Sequence, residues 1–215
     1  MNGIEKVFFF VIFLFSVIIH EVAHGVMAYR LGDDTAYLKG RITLDPIRHI
    51  DLFWTILLPL FFYFGSGGRF IFGGAKPVPV NPYRFRRMRR DMMWVAIAGP
   101  GSNILLAVIF ALAFRLHIFF NNPNLLEGLT FTLAAVLANG VFINLILACF
   151  NLIPIPPLDG GRILTGLLPR ELAYKADKIE PYGIYILIAL IFLGVTQYAF
   201  LAADFIRRAL MGIGS

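Results

Sequence analysis

Long apolar runs separated by short polar stretches set the pattern of this chain, and charge is nearly absent from each run. A bilayer crossing takes about 20 mostly apolar residues in a helix. Four runs reach that length: residues 7–29, 92–114, 129–153 and 182–203. The second and third contain no charged residue, and the fourth ends at Asp204 with Arg207 and Arg208 just beyond. The first carries His20, Glu21 and His24. A fifth run, 52–64, has 13 residues and contains Pro59, which is short for a crossing. Between 36 and 44 the period changes. Tyr37, Lys39, Arg41 and Thr43 alternate with Leu38, Ile42 and Leu44, the two-residue repeat of a strand or small hairpin.

Composition makes lipid the solvent for much of this surface. Hydrophobic residues are 59% of the chain, charged residues 15% and the mean hydropathy is +0.77, where a soluble domain has about 25% charged residues. A disordered chain, a disulfide scaffold (Cys149 is the single cysteine) and a free soluble enzyme are excluded. The net charge of +6 invites a nucleic-acid reading, but in a membrane protein Lys and Arg mark cytosolic loops. Between the first long run and Met92 lie 11 of the 19 basic residues, on both sides of the 52–64 run. A crossing there would put one basic cluster outside, so 52–72 is read as a re-entrant or interfacial segment, with 30–91 and 154–181 on the cytosolic side. The expected fold class is membrane all-α, a polytopic helical bundle of four full spans plus that segment and a small β-hairpin. Five or more spans is the alternative. With no repeat or long linker, 1–215 reads as a single integral-membrane domain.

Several local features fit this frame. The first run lacks a basic leader and a small-residue cleavage site, so it is expected to be retained rather than removed as a signal peptide. The basic run 84–90 precedes a span, where anionic lipid headgroups suit it better than nucleic acid. Gly65, Gly67, Gly68, Gly73 and Gly74 are not followed by Gly-Lys-Ser/Thr, which argues for a re-entrant turn or gate and not a phosphate loop. Residues 76–82, with three prolines, read as a stiff connector, and Cys149 as core packing.

The chemistry concentrates in His20-Glu21-Val22-Ala23-His24. Positions i and i+4 lie one turn apart on one helix face, so both imidazoles can reach one ion, with Glu21 beside them. Each ionisable group inside an apolar helix costs roughly 2.5–3.5 kcal/mol, so three within five residues need a purpose. A catalytic zinc site takes three protein ligands and leaves a position for water. His117 falls at the outer end of the second long span. His49 lies in the cytosolic segment without a fixed setting. Asp159 is the better candidate: Pro154, Pro156 and Pro157 stop the preceding helix, and Gly160 and Gly161 let the backbone turn closely past an ion. A membrane transporter that relays ions through the same His, Glu and Asp, or an inactive membrane binder, are the alternative readings.

Three motifs in order resemble the site-2 protease family of intramembrane zinc metalloproteases: His20-Glu21-Val22-Ala23-His24-Gly25, Gly99-Pro100-Gly101-Ser102-Asn103, and Asn151 through Pro154 leading to Leu158-Asp159-Gly160-Gly161. The match is to the compact prokaryotic branch without a PDZ domain. The resemblance implies one Zn2+ per chain held by His20, His24 and Asp159, with Glu21 as general base. It implies a multi-pass cell-membrane enzyme with its active site towards the cytosol, cutting transmembrane protein substrates. Charge developing on a carbonyl oxygen needs a preplaced donor; Asn151 is the first choice and Asn103 the second. Asn144, seven residues before Asn151, reads as interhelical glue. The 36–44 edge is expected either to accept an extended substrate or to cover the active site. Oligomeric state is not legible.

Overall fold

The computed structural model describes residues 3–65, 73–120 and 128–212. Its framework is α-helical: α1 Gly3–Arg30, α2 Thr35–Leu38, α3 Leu58–Gly65, α4 Met88–Phe120, α5 Gly128–Asn151, α6 Asp159–Leu167, α7 Arg170–Asp177, α8 Gly183–Phe192 and α9 Gln197–Met211. Short 3-10 turns sit at Pro46–His49, Pro82–Arg84 and Glu180–Tyr182, and a π-helical turn at Leu52–Leu57 leads into α3. α4 is the central element, packed against α1, α5, α6 and α9, while α1 and α5 also touch each other. Ala107, Ala111, Val141, Leu145, Ala203 and Met211 fill the α4–α5–α9 core. Phe8, Phe9, Phe10 and Phe13 on α1 point outward, as side chains facing hydrocarbon do.

Among the described residues three helices are long and apolar enough to cross a bilayer: α1, α4 and the part of α5 from Thr130. This is a membrane all-α protein. The expected fourth span is not one helix. The stretch Arg170–Phe192, which ends in α8, and α9 form a broken pair bent by 72°. The break is a C-terminal cap in which Gly194 takes φ +73°, Val195 N–H donates to Leu190 O at 2.9 Å and Gly194 N–H to Ile191 O at 3.0 Å. Only glycine enters that left-handed region cheaply, so the helix stops there despite unbroken hydrophobicity. The short run 52–65 is helical, and 66–72 lie outside the described residues.

The expected β-hairpin at 36–44 is also corrected; among the described residues there is no strand. Asp33 accepts hydrogen bonds from the Thr35 N–H and hydroxyl, starting the one-turn helix α2. Gly40 ends it at φ +60°, with Arg41 N–H donating to Ala36 O at 2.9 Å and Gly40 N–H to Tyr37 O at 2.9 Å. An Asx turn at Asp33 and a glycine C-terminal cap outweigh a weak alternation. The connector 73–81 is pinned along its length. Lys76 N–H donates to His49 O at 2.8 Å, the Arg41 guanidinium to Lys76 O at 2.8 Å, and Asn81 N–H to the Asp33 carboxylate at 2.6 Å.

Pro100 lies fully buried inside α4. A proline there removes the donor that would pair with the Ala96 carbonyl, and the neighbouring Ser102 hydroxyl donates to Gly99 O at 2.7 Å.

Candidate metal centre

α1 brings His20 and His24 onto its α4-facing side. At the other end of the sequence, α5 stops at Asn151, and the stretch with Pro154, Pro156 and Pro157 turns the chain back into α6, whose first residue is Asp159. Gly160 lies against the carbonyls of Leu152 and Ile153, so close that no side chain would fit. That contact presses the start of α6 onto the end of α5 and swings Asp159 under the two imidazoles.

The three groups meet. His20 Nε2 and His24 Nε2 are 3.1 Å apart, and Asp159 Oδ2 lies 3.1 Å from the first and 3.3 Å from the second. Their side chains are 8%, 12% and 10% exposed. A tetrahedral zinc site with bonds of 2.0–2.1 Å has edges of about 3.3 Å, so the triangle has the right size.

The outer ring nitrogens explain why these atoms converge. His24 Nδ1 lies 2.7 Å from the Val95 carbonyl, which can only accept, so this nitrogen carries the proton. His20 Nδ1 lies 2.6 Å from Asn103 Oδ1. The Asn103 amide nitrogen donates to Ser16 O at 3.3 Å and Asn144 Oδ1 at 3.0 Å, which fixes its oxygen towards His20. Asn144 in turn donates to Ser16 Oγ at 3.0 Å and Gly140 O at 2.9 Å. With Nδ1 turned to these acceptors, a neutral imidazole at either position presents its Nε2 lone pair to the other ring and to Asp159 Oδ2. Three lone-pair donors packed together repel unless a cation sits among them, and partners fixing the tautomer of metal-binding histidines are the usual device. The donor set, two imidazoles and one carboxylate with room for water, suits zinc.

Glu21 lies half-buried on the neighbouring face of α1, where its Oε2 accepts from Val78 N–H at 2.8 Å. Among the described residues this leaves Oε1 without a hydrogen-bond partner. Asn103 is wholly buried and serves His20. Asn151 donates to Leu147 O of its own helix at 2.9 Å. Asn144 is interhelical glue, as expected. His49 is buried but lies outside the cluster, with Nε2 2.8 Å from Thr43 O; His117 lies 2.9 Å from Thr130 O.

Sequence reasoning missed Ser16, the Val95 carbonyl, Val78 N–H and Gly99. Ser16 stands four residues before His20 and was findable by the same helical spacing. A methyl at Gly99 would lie 2.5 Å from His24 Nε2 and 2.7 Å from His20 Cε1, so this glycine is the wall against which both rings rest.

A membrane-embedded helical bundle that buries two histidines of one H-E-x-x-H turn, a distant carboxylate and an adjoining glutamate is a metallohydrolase in its chemistry. Peptidase family M50 matches residues 8–137 and 127–194. Relatives bearing the name "Putative zinc metalloprotease" include YwhC of Bacillus subtilis (strain 168), 40% identical over 176 residues, covering 81% of this chain and 75% of that protein. Rip2 of Mycobacterium tuberculosis (strain ATCC 25618 / H37Rv) is 31% identical, covering 82% of this chain and 63% of its own length. MJ0611 of Methanocaldococcus jannaschii (strain ATCC 43067 / DSM 2661 / JAL-1 / JCM 10045 / NBRC 100440) is 32% identical, covering 72% of this chain and 70% of that protein. No solved structure matches. The chain belongs to peptidase family M50, and it is a zinc metalloprotease.

Proposed function

We propose that the protein is an intramembrane endopeptidase that hydrolyses peptide bonds in or near the transmembrane segments of other membrane proteins. The observation that carries this reading is the convergence of three lone-pair donors on helices that also face lipid. A soluble substrate has no ready route to such a site; a helix sliding through the bilayer has one. Zinc, when bound, would acidify a water molecule and polarise the scissile carbonyl. Glu21 then acts as general base: Oε2 stays on Val78 N–H, and Oε1 receives the proton and passes it to the leaving amine. Asn103 keeps its bond to His20 and fixes the ring that holds the metal. Asn151 supplies the donor for the developing oxyanion after rotating off Leu147.

The topology that goes with this reading has four crossings, α1, α4, α5 and the broken α8–α9 pair, with the described segment 52–65 not crossing. The basic residues of 30–91 and 154–181 support an active site facing the cytosol.

The test is Glu21→Gln. The variant is expected to keep stoichiometric zinc and to lose cleavage of a reconstituted transmembrane substrate, since the ligands are untouched and only the base is removed. Undiminished proteolysis by that variant would end the assignment.

A further inference from the structure

We propose that the metal-proximal end of the bundle carries a binding site for the headgroup of an anionic phospholipid, built between the C-terminal end of α1 and the start of α4. A cleft of about 520 Å³ opens there, lined by Arg30, Arg86, Arg87, Arg90, Asp91 and Trp94. It lies apart from the metal centre and plays no part in the hydrolytic chemistry.

The state of the arginines carries the argument. Several arginines elsewhere in the chain have partners: Arg41 donates to Lys76 O, Arg89 to Thr165 O and Leu168 O, and Arg115 to Ala209 O. Arg84 pairs with Asp34, while Arg207 and Arg208 share Asp204. The four arginines around this cleft have no side-chain partner among the described residues. Asp91 is the single acid in the lining. It is 8% exposed, and its Oδ2 accepts the Arg87 backbone N–H at 2.9 Å, so it offsets one charge of four. Converging like charges repel one another unless an anion joins them, and guanidinium forks match phosphate oxygens bidentately. A bias for cytosolic basic loops does not require them to surround one cavity.

Position identifies the anion. Arg30 ends the apolar helix α1, and Arg90 stands at the opening of the apolar stretch of α4. Trp94, one turn further into α4, is 41% exposed and lines the same cleft. Cations at helix ends with an indole one turn inward is the arrangement found at headgroup depth, where phosphodiesters are dense and acyl chains lie alongside. A second cleft, lined by Arg87, Arg89, Arg90 and Arg170 with Asp177 as its acid, continues the mostly basic surface towards α7. A bound headgroup would tie α1 to α4, the two helices that hold His24 between them.

The test is fluorescence quenching of Trp94, with Trp54→Phe as background so that Trp94 is the sole indole. The full-length protein is placed in mixed phosphatidylglycerol and phosphatidylcholine vesicles in which one lipid at a time is brominated near the glycerol. Brominated phosphatidylglycerol is expected to quench more than brominated phosphatidylcholine at equal mole fraction. Each arginine-to-glutamine change among Arg86, Arg87 and Arg90 should cut that preference about fivefold, the effect of one basic residue near an anionic surface. The corresponding lysine triple variant should retain most of it, and unchanged zinc content shows that each variant is folded. Equal quenching by the two lipids, or a preference untouched in the glutamine triple variant, would overturn the proposal. Loss of the preference on adding millimolar inorganic phosphate would also overturn it, because the site would then belong to free phosphate.

Discussion

Gly99→Ala is the smallest change that should disable this protein, and its effect can be worked from distances. The added methyl would lie 2.5 Å from both His24 Cε1 and His24 Nε2, and 2.7 Å from His20 Cε1. Such contacts settle at about 3.5–4.0 Å, so something must retreat by about 1 Å. The rings cannot do so freely. His24 hangs from the Val95 carbonyl, one turn before Gly99, and His20 from Asn103, one turn after it. Either one of those hydrogen bonds breaks or α4 moves off α1. Overpacking of this kind costs about 1–3 kcal/mol, which the fold can survive. A metal centre tolerates only about 0.2 Å in its ligand distances, so zinc affinity is expected to fall by at least the ~10–100-fold typical of a disturbed supporting group. The assay is chelator competition for zinc on detergent-purified protein, with helix content followed by circular dichroism. Gly101→Ala is the matched control, because a methyl there meets nothing within 4 Å. Wild-type zinc affinity in Gly99→Ala, with intact helicity, would refute the claim that the α4 backbone is the wall of the site.

Other expectations follow from the same contacts. Asp159→Ala should lose zinc as well as activity, and retained tight zinc by metal analysis would mean that another group completes the site. Asn103→Leu should weaken zinc about 10–100-fold while leaving the metal ligands in place; unchanged affinity would show that His20 needs no partner. Chelation should lower the melting temperature and added zinc restore it, since removing the ion leaves three acceptors facing one another. Asp33 offers a pH test. Burial pushes its carboxyl up, but hydrogen bonds from Thr35 and Asn81, with the nearby Arg84 charge, outweigh that and hold it below the usual carboxylate range. A depressed value means its contribution is full above an unfolded pKa of about 3.9 and fades as pH falls through the folded one. The difference in melting temperature between wild type and Asp33→Ala should therefore shrink below about pH 4, and a constant difference down to acid denaturation would contradict it.

Legibility in the sequence followed the strength of each local signal. His20, His24 and Asp159 were readable because ionisable groups in apolar helices are costly, and proline and glycine around Asp159 announce a turn. The long runs of α1, α4 and α5 were readable for the same reason of solvent. What hydrophobicity could not reveal was the cap at Gly194: a glycine inside an apolar run costs nothing on a hydropathy scale, yet it broke the fourth run into α8 and α9. The alternation at 36–44 misled because Asp33 and Gly40 bound a helical turn and override a nine-residue pattern. The roles of Gly99 and the Val95 carbonyl had no side-chain signature at all, since backbone atoms do that work.

Of the two amides read from sequence as oxyanion donors, Asn103 illustrates how stability and chemistry share one network. An amide buried inside hydrocarbon-facing helices must satisfy its oxygen and both hydrogens. Asn103 does this by accepting from His20 and donating to Ser16 and Asn144, and Asn144 returns a bond to Ser16. These bonds join α1, α4 and α5, yet their polarity permits only one tautomer at His20, the one with a lone pair on Nε2. A purely structural clamp could run in either direction. Here the orientation is fixed by Ser16 O, a backbone acceptor, so the same hydrogen bonds that hold three helices together also decide which nitrogen faces the metal position. Asn103→Asp separates the two halves of this network: an aspartate still accepts from His20 but points a carboxylate at Asn144 Oδ1 and Ser16 O, where the amide donated. The expected result is a larger loss in thermal stability than in zinc affinity. Asn103→Leu removes the acceptor facing His20 as well as both donors, so zinc affinity should fall along with stability, and the comparison with Asn103→Asp separates the two roles of the residue.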